Sequence, residues 1–169
     1  MRDVAELLNA MRTADVITDY AVFGAIAQMR YTEAVATVDA DVLVAVPLSE
    51  RFDPLTQIYE FCKCRGYAPE GEAVRVGAWP VQFIPVFSQL TQEALAQAET
   101  DDFEGVPLRV VRPDHLAAIA LSVGRAKDFA RILALIESEA VTREEIATLA
   151  QRHQLSEAWE RFEKRFFDE

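Results

Sequence analysis

Apolar residues return at helical spacing from the first turn of the chain. Val4, Leu7, Leu8 and Met11 share one helical face, with polar residues between them, so the chain opens with an amphipathic helix. Residues 20–23 read as a short strand, Gly24 interrupts it, and a second helix starts near Ala25. Residues 42–46 form a β-branched, apolar strand bounded by Pro47. Pro54 opens a helix that runs to about Lys63 and ends at Gly66 and Tyr67. Residues 74–76 and 81–86 read as two strands of a hairpin, joined through Gly77-Ala78-Trp79-Pro80. A short helix over 90–98 and a strand over 106–111 follow.

From Pro113 the periodicity is helical throughout. Residues 115–123 form one helix, broken at Gly124, and residues 127–136 form another. Thr142 and Glu145 have the spacing of a capping box and announce a third, and residues 155–167 form the fourth. This order predicts an α/β (α+β) protein: a mixed sheet with flanking helices over residues 1–112, and a helical segment over 113–169 packed on it in one continuous domain.

Composition narrows the class. Of 169 residues 51% are hydrophobic and 27% charged, which excludes a disordered chain and allows one buried core. The net charge of −11 repels phosphate backbones, so nonspecific nucleic-acid binding is not expected. Cys62 and Cys64 stand two apart on a helix, which disfavours a mutual disulfide, and His115 and His153 are remote in sequence. A reducing, cytoplasmic setting fits. The first fifteen residues lack the apolar core of a signal peptide, and the longest apolar run, 42–48, is too short for a bilayer, so no membrane partner is expected. Trp79 and Trp159 read as packing residues. Arg161, Lys164 and Arg165 alternate with Glu157, Glu160 and Glu163, as on a solvated helix face.

The candidate chemistry lies in Asp39-Ala40-Asp41. On an extended chain, residues two apart project from one face, so the two carboxylates point together. They repel unless a cation lies between them, and a hard cation such as Mg2+ takes carboxylate and phosphate oxygens together. That combination suits phosphoryl or nucleotidyl transfer. By itself, D-x-D more often marks two solvated acids at a strand edge. Gly24 adds weight to the first reading, because a strand–glycine–helix turn exposes backbone N–H groups to a phosphate.

The stretch Tyr20-Ala21-Val22-Phe23-Gly24-Ala25-Ile26-Ala27, followed after thirteen residues by Asp39-Ala40-Asp41, resembles the first motif of the minimal and AbiEii-like nucleotidyltransferases of the polymerase beta-type superfamily. Thr37 matches a threonine two before the first aspartate. Gly77 to Ile84 resembles the strand that carries a third carboxylate, and Gly124-Arg125-Ala126-Lys127-Asp128 resembles a downstream helical motif. The resemblance implies Mg2+ on the catalytic pair Asp39 and Asp41. It also implies a nucleoside triphosphate held by Gly24, Ala25, Thr37, Arg125 and Lys127, and nucleotide transfer to an acceptor. Two positions depart from the pattern. Ala25 replaces a Gly or Ser, and Gln82 replaces the third aspartate, which removes a charged ligand and a general base. A degenerate member, binding nucleotide or a small protein partner in a toxin–antitoxin pair, is the alternative that the resemblance implies. Arg125 and Asp128, three apart, also suit a simple ion pair.

Overall fold

The computed structural model describes residues 1–47 and 53–168. Helix α1 (Arg2–Thr13) buries Val4, Ala5, Leu7, Leu8 and Met11, the stripe its spacing predicts. Strand β1 (Asp19–Phe23) follows, then the five-residue α2 (Gly24–Gln28) and strand β2 (Ala40–Ala45). Helix α3 (Thr56–Cys64) starts two residues after Pro54. Its first turn is fixed by Asp53, whose carboxylate accepts from the Thr56 amide at 3.3 Å and the Thr56 hydroxyl at 2.7 Å. Strands β3 (Ala68–Glu70), β4 (Ala73–Val76) and β5 (Trp79–Pro85) come next. The β4–β5 turn is only Gly77-Ala78, since Trp79 and Pro80 already pair with Val76 and Arg75.

Helix α4 (Gln89–Ala96) precedes the hairpin of β6 (Glu99–Phe103) and β7 (Val106–Val110). The rest is helical: α5 (Pro113–Val123), α6 (Ala126–Glu137), α7 (Arg143–Arg152) and α8 (Ser156–Phe166). Gly124 ends α5 in the left-handed conformation. Thr142 caps α7, its hydroxyl accepting from the Glu145 amide while the Glu145 carboxylate accepts from the Thr142 amide, the box that the spacing predicts.

The seven strands form one sheet in the order β3-β4-β5-β2-β1-β7-β6. β1 runs antiparallel to β2 and parallel to β7, and β2 runs parallel to β5. The mixed α/β fold is therefore the expected one. One hydrophobic core joins sheet residues such as Val22 and Leu43 to Ile132, Ile146 and Phe162 of the later helices. Trp159 is buried and stacks on Phe162 with ring centroids 5.4 Å apart, and Trp79 is half-buried against the core, so both pack as expected. Both cysteines are free, and burial pushes the Cys62 thiol up to about 11. Among the described residues no helix is long and apolar enough to cross a membrane.

Candidate active site

Pairing across the sheet places three side chains in one row. Phe23 of β1 stands opposite Asp41 of β2, and Asp41 stands opposite Gln82 of β5. Paired residues share a face, so Gln82 and Asp41 are immediate neighbours. At the end of β1 the chain turns through Gly24 at φ +66°. A Cβ there would stand 2.6 Å from Asp41 Oδ2. Glycine is thus needed twice, for the left-handed backbone and for the approach of the carboxylate. Ala25 lies in the first turn of α2, where it offers only its backbone N–H.

Asp39 is not on the strand, which begins at Ala40. Its place beside Asp41 is set locally: the Thr37 hydroxyl donates to the Asp39 carbonyl at 3.0 Å and lies 3.4 Å from Asp39 Oδ1. Thr37 therefore orders the loop that carries Asp39. Burial, then the charge of Asp39, pushes the Asp41 carboxyl above its usual range. Arg131, Lys127 and Arg125 on the first turns of α6 pull it back down, though not fully.

Of the α6 cations, Arg125 is engaged. Its guanidinium donates to the Asp128 carboxylate at 2.7 and 3.3 Å, the ion pair that their spacing allows. Arg131 also reaches Asp128, at 3.4 Å, and donates to Gln28 Oε1 at 3.1 Å. The sequence reading paired Asp128 with Arg125 but did not include Arg131 or Gln28. The signal was present in helical spacing: Arg125, Asp128 and Arg131 recur every third residue and Lys127 stands four before Arg131.

Glu72 lies in the turn between β3 and β4. It lines a pocket of about 420 Å³ with Asp39, Gln82, Glu70 and Arg75, in which Arg75 is ion-paired to Glu70. A neighbouring pocket of about 630 Å³ shares Glu72 and Gln82 and adds Leu55, Tyr59 and Phe83.

No protein-family model matches the chain, and no curated protein matches it by sequence. Solved structures do. The chain is similar to an antigenic nucleotidyltransferase-like protein from Paracoccidioides brasiliensis, with a TM-score of 0.57 at 16% identity over 93% of this chain and 90% of that one. The fold is that of a nucleotidyltransferase. It is also similar to the antibiotic-resistance factor ANT(2'')-Ia, whose solution structure gives a TM-score of 0.50 at 14% identity over 94% of this chain and 98% of that one.

Within this nucleotidyltransferase fold the donor set is short. Among the described residues no group of three or more His, Cys, Asp or Glu is arranged to hold a metal ion. Two carboxylates, Asp39 and Asp41, stand together, and the third place in the row is the neutral amide of Gln82. Oxygen donors alone, one of them a half-buried carboxyl opposed by its neighbour, fit a hard divalent cation.

Proposed function

We propose that this protein binds a nucleoside triphosphate together with Mg2+ at Asp39 and Asp41, and transfers its nucleotidyl group to an acceptor hydroxyl. The observation that carries the reading is the setting of Asp41. Its carboxyl is drawn out of water beside a second carboxylate, with the Gly24 turn against it and three cations of α6 facing it. Such a site stores repulsion that a cation and a polyphosphate together relieve. The nucleotidyltransferase fold supports the same reaction class.

When bound, Mg2+ would neutralise the phosphate charge and align the reacting oxygens. The protein's own groups do the rest. The backbone N–H groups after Gly24 meet phosphate oxygens. Lys127 and Arg131 supply positive charge on the other side. The acceptor oxygen forms a bond to the α-phosphorus, the bond to the pyrophosphate oxygen breaks, and the acceptor proton passes to water, because the Gln82 amide cannot accept it. Transfer is therefore slow for a member of this fold. Loss of a general base typically costs ~10²–10⁴-fold.

Gln82 equally favours a second reading, in which the protein binds nucleotide or a small protein partner, as in a toxin–antitoxin pair, without efficient turnover. One experiment separates the two. Radiolabel from each of the four nucleoside triphosphates is followed into acceptors of a cell lysate, for wild type and Gln82→Asp. Labelling that rises in Gln82→Asp and vanishes in Asp41→Ala supports the enzyme. Tight Mg2+-dependent nucleotide binding with no labelling by either protein supports the binding protein. Absence of nucleotide binding by wild type, with all four triphosphates and Mg2+, overturns the enzyme and the nucleotide-binding form of the second reading.

A further inference from the structure

Three polar residues are buried among those described: Gln28, His115 and Asp128. Two of them belong to one chain of contacts beside the candidate site. Gln28 ends α2, the helix that starts at the Gly24 turn. Its Oε1 accepts from Arg131 Nε at 3.1 Å, Arg131 reaches Asp128 Oδ1 at 3.4 Å, and Asp128 accepts from Arg125 at 2.7 and 3.3 Å. Asp128 also accepts from the Arg125 amide at 3.2 Å, which closes the first turn of α6. The side chain of Asp128 is 1% exposed and that of Arg131 15% exposed, so their pair is not an adjustable surface pair, while Arg125, 59% exposed, reaches the same carboxylate from solvent. The line Gln28–Arg131–Asp128–Arg125 therefore ties the end of α2, the helix that starts at the Gly24 turn, to the first turns of α6.

We infer that Asp128 is a positioning residue for the triphosphate: it fixes the Arg131 and Arg125 guanidiniums so that a polyphosphate meets a preformed wall. This rests on the nucleotide-binding reading above. The chemistry favours it over a structural ion pair. One buried carboxylate is shared by two guanidiniums, so it satisfies each in part and leaves N–H donors over. Both retain charge that reaches Asp41. A long side chain held in one rotamer loses little further entropy when a phosphate arrives, and rigid donors bind it more tightly than mobile ones.

Two expectations about Asp128→Asn point in opposite directions, which makes the inference testable. The substitution removes a negative charge close to a site for an anion. If the wall acted by net charge alone, triphosphate would bind more tightly. If Asp128 acts by holding the arginines, triphosphate binds more weakly. The measurement is calorimetric titration with each nucleoside triphosphate and its monophosphate, in Mg2+, on wild type, Asp128→Asn and Arg131→Lys. Arg131→Lys keeps the charge but cannot span Gln28 and Asp128 together. Both variants are expected to lose about 10-fold in triphosphate affinity, with monophosphate affinity changed by less than about 2-fold. Unchanged or tighter triphosphate binding in both overturns the inference, as does an equal loss for triphosphate and monophosphate. Should Asp128→Asn not fold, Arg131→Lys carries the test. If wild type itself binds no triphosphate, the parent reading fails instead, and that outcome is distinct.

Discussion

Asp41 and Glu93 are both acids partly withdrawn from water, and their surroundings push them in opposite directions. Asp41 is driven up by burial and by Asp39, with the three α6 cations only partly compensating. Glu93, on α4, is also pushed up by burial, but the hydrogen bond from His153 and the charges of Arg152, His153 and His115 outweigh it and hold Glu93 below the usual range. His153 Nε2 lies 2.8 Å from one Glu93 oxygen, Arg152 pairs with the other, and His115 Nε2 stands 3.4 Å away. Asp114 completes this second cluster at 3.0 Å from His115 Nδ1. It binds α4, α5 and the end of α7 together. Folding has supplied Glu93 with close partners and left Asp41 with only the partial compensation of the α6 cations. The contrast accords with the proposal that Asp41 meets its counter-charge in a bound cation, whereas Glu93 meets its own within the fold.

The largest expected effect tests the unsatisfied side. Asp41→Asn should weaken Mg2+-dependent nucleoside triphosphate binding by on the order of 100-fold or more, since loss of even an outer partner of a metal ligand costs about 10–100-fold. The same variant should unfold at a higher temperature than wild type without Mg2+, by about 1 kcal/mol of relieved repulsion. Calorimetry and thermal melts read the two effects. A variant that binds normally, or that melts lower, removes the contrast. The satisfied side should respond oppositely. Glu93→Gln leaves two histidines and Arg152 without their anion and should cost roughly 2–4 kcal/mol in urea denaturation, with nucleotide affinity untouched.

Gly24→Ala sharpens the contrast from the backbone. It places a Cβ on the left-handed turn and 2.6 Å from Asp41 Oδ2, so a loss of about 1–3 kcal/mol is expected in the same assay, together with weaker nucleotide binding. The smallest effect is on pH dependence. Glu93 and Asp114 sit below their ordinary values, so they contribute stability in full above about pH 4–5 that is lost as pH falls through their folded values. Asp41 sits above its own, so its contribution is full below about pH 4 and is lost as pH rises through the folded value. The stability gap between Asp41→Asn and wild type should therefore widen from about pH 4 to 7, while that of Glu93→Gln should close below about pH 4. Parallel profiles for the two variants would contradict the opposed environments.

Much of this was legible in sequence wherever one face of an element is buried. The stripe of α1, the apolar strands β1, β2 and β5, and the Thr142–Glu145 box all carry a period or a cap that survives into the structure. Strands β3 and β6 were not legible, because every residue of both is exposed and no alternation marks them. In the candidate site, the nearness of Asp41 to Gln82 followed from strand alternation together with the family resemblance. The position of Asp39 did not follow, because Thr37 and the loop fix it rather than the pleat. The Arg131–Gln28 contact joins residues 103 apart and has no local signature, although the Arg125–Asp128–Arg131 spacing on α6 was there to read.

The exposed acids of β6 have a consequence for how the molecule meets its own copies. β6 is the last strand on one side of the sheet, and its outer backbone groups have no strand to pair with. A second sheet docking there would bring the acids Glu99, Asp101 and Asp102 to within about 5 Å of the edge of its twin, with Arg30, paired to Glu99 and Asp101, offsetting part of their charge. At the other edge, β3 carries Pro69, which offers no N–H to an incoming strand. Among the described strands, acids on one flank and a missing donor on the other thus oppose pairing of the sheet with another strand.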